Sequence, residues 1–81
     1  MMHDNYQIAK SLDLKGLLCP IPVVKVSKAI KEINLGEVLE ATATDPGVMM
    51  DIPAWCKSSG NELIGIEKEE NVFRIIVRRI K

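Results

Sequence analysis

Apolar and polar residues follow two rhythms along the chain, and these rhythms predict six elements of secondary structure. A period of two predicts strands over Ile8–Leu14, Glu37–Thr44, Leu63–Lys68 and Val72–Ile80. Apolar spacings of three and four predict a helix from Cys19 to about Asn34. A second helix is predicted over Asp51–Ser59. Asp45-Pro46 is an alternative start, because it too offers an N-cap residue followed by a proline in the first turn. The predicted order is βαβαββ.

This order predicts the architecture of the fold. Strands that are linked through helices are parallel neighbours with right-handed crossovers, so both helices lie on one face of a four-stranded sheet. The fold class is therefore α+β, in the form of a two-layer α/β sandwich. The 81 residues suit one domain, with residues 1–7 as a polar tail. The other face of the sheet would carry Arg74, Ile76 and Arg78, partly open to water or to a partner.

Composition narrows the classes of function. The 11 basic and 11 acidic side chains balance, so no excess of positive charge draws the chain to nucleic acid. Aromatic residues make up 4% of the chain, which excludes a surface of stacked rings for single strands. Direct nucleic-acid binding is therefore not expected.

The number of cysteines and the length of the apolar runs indicate the cellular compartment. Two cysteines are too few for a secreted disulfide scaffold, and no apolar run approaches the ~18 residues of a membrane span. We therefore expect a cytoplasmic protein with no membrane partner. One histidine and two widely separated cysteines lack the paired spacing of metal ligands, so a metal site is not expected.

The candidate chemistry lies in the segment Leu17-Leu18-Cys19-Pro20-Ile21-Pro22, between the first strand and the first helix. If Cys19 is the N-cap, Pro20 and Pro22 are the first and third helical residues, and neither has an N–H. The helix dipole would then favour a thiolate, which is the form of cysteine that exchanges sulfur. The alternative is structural: a small soft residue fills the junction while the prolines define the helix start.

The segment resembles the Cys-Pro-x-Pro signature of the TusA (SirA-like) family of sulfur carriers. The likeness extends on both sides of the motif, from about Leu12 to Arg78. Its further pieces are Leu12-Asp13, Gly16, Gly36, Asp45-Pro46, Asp51-Ile52-Pro53 and Trp55-Cys56.

The resemblance implies both a fold and a function. The fold would be similar to the C-terminal domain of translation initiation factor three, with strand order 1-2-4-3 and an antiparallel last strand. Cys19 would accept a persulfide sulfur from a donor protein, either a PLP-dependent cysteine desulfurase or a rhodanese-like protein, and relay it to an acceptor protein. The carrier itself would bind no cofactor. The residues that support the motif would be Gly16, Pro20, Pro22, Asp45, Asp51 and Pro53.

Leu18 departs from the family pattern, in which the residue before the cysteine is commonly polar or basic. Its side chain removes a local aid to ionisation and leaves the helix dipole and Lys15 to favour the thiolate. Lys25, Lys28 and Lys31 form a basic strip along the first helix. That strip is either a solvated surface or a guide for an acidic partner.

Three other residues have structural explanations of their own. Asp45 and Asp51 each stand close to a proline at a helix start, where we expect them to act as caps. Cys56 lies four residues after Ile52, on one helix face, and is expected in the core rather than as a second thiol of a sulfur relay. A Cys19–Cys56 disulfide is not expected, because a helix start and a mid-helix position are poorly placed for the bond.

A second function from a different class also fits the sequence. The chain could be a non-catalytic regulatory or RNA-associated interaction module that uses the same surface, in which the conformation of the Cys-Pro-Ile-Pro turn matters and the sulfur does not. Replacement of Cys19 by serine separates the two hypotheses, since it abolishes a carrier and leaves a binding module nearly intact.

Overall fold

The computed structural model of the protein describes residues 7–81, so the predicted polar tail lies outside the described residues apart from Gln7. The chain forms six main elements in the predicted βαβαββ order. They are strand β1 (Ile8–Leu14), helix α1 (Ile21–Ala29), strand β2 (Val38–Ala43), helix α2 (Val48–Ser59), strand β3 (Glu62–Glu69) and strand β4 (Val72–Arg78). A 3₁₀ turn over Ile30–Glu32 prolongs α1. Across residues 7–81, every helix is too short or too polar to cross a bilayer.

The four strands form one mixed sheet in the order β1-β2-β4-β3, as predicted. Strands β1 and β2 are parallel, whereas β4 is antiparallel to both β2 and β3. The register places Leu12, Ala41, Ile75 and Ile66 in one row across the sheet. This row belongs to the face that packs against the helices.

The hydrophobic core lies between that face and the two helices. Helix α1 contributes Val26 and helix α2 contributes Ile52, both fully buried. Opposite them, the central strand β2 carries Ala41 and Ala43, whose small side chains let the helices approach closely. The predicted α+β two-layer architecture is confirmed.

Both helices begin at residues other than those predicted. Helix α1 begins at Ile21 with Pro20 as its N-cap, one residue later than the prediction that made Cys19 the N-cap. The reason is that the Ile21 N–H already closes a turn onto the Leu18 carbonyl, at 3.0 Å.

Helix α2 begins at Val48, so the prediction of a start at Asp51 is wrong and the Asp45-Pro46 alternative is closer. Asp45 Oδ1 accepts the Gly47 N–H at 3.2 Å, and the Asp45 carbonyl accepts the Val48 N–H at 3.2 Å. This local turn starts the helix early. Pro53 therefore lies inside the helix, where its missing N–H removes one backbone hydrogen bond.

The sheet face without helices is sealed by ion pairs. Ile76, expected to be partly open, has no exposed surface although it lies on this face between Arg74 and Arg78. Arg74 pairs with Glu40 and Glu67, and Arg78 Nη1 lies 3.6 Å from Glu62 Oε1. Long charged side chains can cover apolar surface with their stems while their charged ends meet water. The face therefore holds a small apolar centre of its own.

We predict that Ile76→Ala lowers the free energy of unfolding by about 2–5 kcal/mol, because it leaves a cavity at a fully buried position. Urea unfolding measures this as a lower midpoint. Ile80→Ala is the matched control, since Ile80 is exposed and its truncation should change stability by no more than about 0.5 kcal/mol. Equal effects of the two substitutions would show that the face is not sealed.

Candidate functional site at Cys19

The parallel pairing of β1 and β2 brings two loops together at one edge of the sheet. Residues 15–20 follow β1, residues 44–47 follow β2, and both loops lead into helices. The Gly16 N–H donates to Thr44 Oγ1 at 2.9 Å, which joins the loops near their start. Gly16 has a φ of +85°, a conformation that glycine adopts without strain. Cys19 lies half-buried near the end of the first loop.

Asp45 holds Cys19 through its backbone. Asp45 Oδ2 accepts the Cys19 N–H at 2.6 Å, while Oδ1 binds the Gly47 N–H. These two bonds, the one from Cys19 first, lower the pKa of the Asp45 carboxyl because they stabilise its charged form. The sequence predicted Asp45 as a helix cap, and the resemblance implied that it supports the motif. The N-cap of α2 is Gly47, so the cap prediction is wrong for Asp45. Its bond to a residue 26 positions away depends on the strand pairing, which no local pattern reports.

Gly47 lies against the sulfur, although its place in the sequence did not indicate a site residue. A Cβ added to Gly47 would lie 3.1 Å from Cys19 Sγ and 3.3 Å from Cys19 Cβ, which is too close for an ordinary contact. Gly47 has a φ of −58°, so its value lies in the space it leaves rather than in its conformation. The only sequence signal was Asp45-Pro46-Gly47, which predicts a turn and does not indicate what the turn contacts.

Asp51 is the second carboxylate beside the sulfur. It lies in the first turn of α2, where its N–H donates to the Gly47 carbonyl at 2.9 Å. Its predicted role as a cap is wrong, because the helix begins three residues earlier and Asp51 is already helical. This earlier start places Asp51 one turn from Gly47, which lies against the sulfur, and a hydrogen bond to Asp51 and its negative charge both raise the pKa of the Cys19 thiol.

Cys19 is held in its neutral form. Partial desolvation of the sulfur is the largest cause, followed by hydrogen bonds to Asp51 and Asp45 and by the negative charges of the same two residues; together they raise the pKa of the Cys19 thiol to about 12. The predicted preference for the thiolate is therefore wrong for the protein alone. At neutral pH, Cys19 is therefore present mainly as the thiol.

The start of α1 offers the sulfur fewer free backbone N–H donors than predicted. The Ile21 N–H donates to Leu18, and the Val24 N–H donates to the Pro20 carbonyl at 3.1 Å. Pro20 and Pro22 have no N–H, and Pro22 is the buried second helical residue rather than the third. The two carboxylates therefore outweigh the helix dipole.

Exposed apolar side chains lie close in the chain to Cys19 and to Gly47, at and just before the two helix starts. Leu18 is 74% exposed and Met50 is 79% exposed, values that are high for large apolar residues. We call the group the apolar collar; it consists of Leu18, Ile21, Val24, Met49 and Met50. Farther along the chain, Lys25 and Lys28 of α1 and Lys31 of the 3₁₀ turn are exposed to solvent.

Cys56 and the remaining candidates lie apart from this chemistry. Cys56 is 4% exposed within the core, and burial raises the pKa of its thiol to about 11. Both cysteines are free thiols. Pro53 is half-buried in α2. Within residues 7–81 there is no group of three or more side chains that could hold a metal ion.

Comparison with known proteins connects this geometry to a family. Residues 10–79 match the family described as sulfurtransferase TusA. The chain belongs to the TusA family. A relative from Halobacterium salinarum is 43% identical over 81 residues, a match that covers 99% of this chain and 100% of the relative. The sulfur carrier protein TusA of Allochromatium vinosum is 36% identical over 70 residues, which cover 86% of this chain and 92% of that protein.

Two further comparisons concern chain length and fold. YrkF of Bacillus subtilis is 48% identical over 68 residues, which are 84% of this chain, and the chain spans only 37% of the length of YrkF. The crystal structure of a SirA-like protein from Desulfitobacterium hafniense superposes with a TM-score of 0.76 at 22% identity, covering 89% of this chain and 99% of that one. This TusA-family chain therefore shares its fold with the SirA-like protein.

We predict that alkylation of Cys19 by iodoacetamide rises about tenfold per pH unit from pH 7 to 10, with no plateau, because its pKa lies near 12 rather than at the ordinary 9.0. Peptide mass mapping at each pH gives the rate at Cys19. The buried Cys56 should stay unmodified until the protein unfolds.

The unfolded protein in urea is the control, and there the Cys19 rate should level off above about pH 9. A midpoint near or below pH 9 in the folded protein would contradict the thiol stabilisation that Asp45 and Asp51 provide.

Proposed function

We propose that the protein is a sulfur carrier in which Cys19 accepts a persulfide sulfur from a donor protein and passes it to an acceptor protein. The observation that carries this proposal is the position of Cys19, a half-buried thiol between two helix starts in a chain of the TusA family. Cys56, the other thiol, is closed off in the core.

The chemistry needs only the sulfur of Cys19. The sulfur attacks the outer sulfur of the donor persulfide and forms a new S–S bond, while the S–S bond of the donor breaks. The proton of the Cys19 thiol leaves, and the departing donor thiolate takes up a proton. One thiol and one persulfide enter the exchange and one of each leaves, so it consumes no oxidant. A second exchange of the same kind delivers the sulfur to the acceptor.

Donor and acceptor are large partners that reach the sulfur from outside. A PLP-dependent cysteine desulfurase or a rhodanese-like protein would form the persulfide, so the carrier itself would need no cofactor. The apolar collar supplies surface that such a partner can bury around the sulfur. Lys25, Lys28 and Lys31 would guide an acidic partner surface towards it. A relay between free thiols suits the reducing cytoplasm.

The apolar collar also favours the second hypothesis, a regulatory or RNA-associated module that binds a partner without chemistry. Exposed Leu18 and Met50 would serve such binding equally well. The two functions differ in one requirement, since only the carrier needs the sulfur atom at position 19.

We predict that incubation with a cysteine desulfurase and cysteine, or with a rhodanese and thiosulfate, adds about 32 Da to Cys19 as one sulfur atom, which a reductant removes. Intact mass and peptide mass measure the addition. Cys56→Ser should still be loaded and Cys19→Ser should not, while circular dichroism shows that both variants fold.

Two outcomes would contradict the carrier. One is the absence of any reducible mass on Cys19 with each donor tested. The other is addition at Cys56 alone. Retention by Cys19→Ser of full partner binding, together with either outcome, would support the interaction module.

A further inference from the structure

Loading with sulfur changes how Cys19 meets the two carboxylates beside it. In the free carrier, Asp45 Oδ2 accepts the Cys19 N–H at 2.6 Å, and both this oxygen and the sulfur border the space beside Gly47. Asp51 and Asp45 raise the pKa of the Cys19 thiol, so the neutral thiol is the form that suits the two carboxylates. In the persulfide, Sγ is bonded to a second sulfur and carries no hydrogen. Sγ then has no hydrogen to donate to a carboxylate, and its lone pairs remain close to two negative charges.

Ionisation of the persulfide strengthens its repulsion by the two carboxylates. A persulfide is a stronger acid than the corresponding thiol, so the loaded form is more readily an anion. Its outer sulfur lies about 2.05 Å beyond Sγ, still within range of the charges on Asp45 and Asp51. Like charges at such short range destabilise one another.

The backbone of Cys19 is fixed beside these acids. The Cys19 N–H donates to Asp45 Oδ2 at 2.6 Å, and the sulfur lies close to Gly47, which has no side chain. The first turn of α1 gives little compensation, because Pro20 and Pro22 lack an N–H and the Ile21 N–H is bonded to Leu18. The acids come from two different segments, the loop after β2 and the first turn of α2, so the arrangement does not depend on one side chain.

We propose that Asp45 and Asp51 bias Cys19 toward delivery of its sulfur, because they stabilise the empty thiol and destabilise the loaded persulfide. This inference rests on the proposed carrier function and adds a direction to it. Asp45 and Asp51 are positioning residues here, since they act on the sulfur of Cys19 and need not contact the partner. The loaded carrier is then a stronger sulfur donor than a persulfide on an unconstrained thiol.

Exchange with a small thiol measures this bias directly. In the balanced reaction, Cys19 thiol and glutathione persulfide give Cys19 persulfide and glutathione. One S–S bond breaks, one forms, and one proton is exchanged. The equilibrium constant follows from the ratio of the unmodified and about 32 Da heavier protein masses at known glutathione and glutathione persulfide concentrations, with peptide mapping to assign the sulfur to Cys19.

Asp51→Asn is the main test variant, because it keeps the shape of the side chain and removes its charge. We expect it to raise the equilibrium constant for loading about three- to tenfold relative to the natural chain. Asp51→Glu restores the charge and should return the constant toward the natural value. Added salt should raise the constant of the natural chain and affect Asp51→Asn less, because salt screens charges.

Glu62→Gln is the matched control. It also removes one negative charge, but Glu62 pairs with Arg78 at the opposite end of the sheet from Cys19 and should leave the constant unchanged. Asp45→Asn is the second test variant, and it should act in the same direction as Asp51→Asn. It also keeps the bias testable if Asp51→Asn fails to fold.

The outcomes separate this inference from the function on which it rests. A natural chain that loads sulfur, with an Asp51→Asn constant equal to or below its own, overturns the bias and leaves the carrier intact. An equal rise in Glu62→Gln overturns it too, since net charge alone would then explain the effect. A natural chain that takes up no sulfur from any donor overturns the carrier and the bias together.

Discussion

The hydrogen bond between the Cys19 N–H and Asp45 is the contact on which the site depends. It joins the loop after β1 to the loop after β2, and it exists only because the two strands are parallel and end at the same edge of the sheet. A parallel pair requires a crossover, which α1 supplies, and the crossover begins at the cysteine segment. The parallel pairing of β1 and β2 therefore determines both the crossover of the fold and the position of the sulfur.

The same contact explains why α2 begins where it does. The Asp45 carboxylate binds Cys19 with one oxygen and the Gly47 N–H with the other, so the turn that starts α2 is fixed by the loop it holds. An earlier helix start carries Asp51 into the first turn and brings it to the sulfur. Gly47 has no Cβ, which leaves room for the Cys19 sulfur beside the start of α2. A change in one loop would therefore alter the chemistry of the other.

Periodicity predicted the order of elements and the sandwich, because each element has its own local pattern of apolar residues. The strand Ile8–Leu14 was predicted at both ends, and the strand predicted over Glu37–Thr44 contains the observed β2, Val38–Ala43. The strand order 1-2-4-3 came from the resemblance rather than from the pattern. Sequence spacing alone does not say which neighbour an antiparallel hairpin joins.

The details of the site were beyond reach for a physical reason. Whether a cysteine at a helix start is acidic depends on which groups surround it, and those groups lie 26 and 32 positions farther along the chain. The sequence indicated the dipole, which is local, and could not indicate two carboxylates brought in by strand pairing. The burial of Ile76 was missed likewise, since cross-strand ion pairs seal that face.

The raised pKa and the exposed Leu18 have one common consequence. A cysteine surrounded by acids, with no positive residue immediately before it, reacts slowly with whatever meets it in solution. A protein partner can change that environment, because contact with the apolar collar excludes water and can bring a positive charge to the carboxylates. Small oxidants and small thiols in solution cannot change the environment of Cys19 in this way. Low intrinsic reactivity of the empty thiol is therefore consistent with a carrier that takes up its sulfur chiefly within a specific complex.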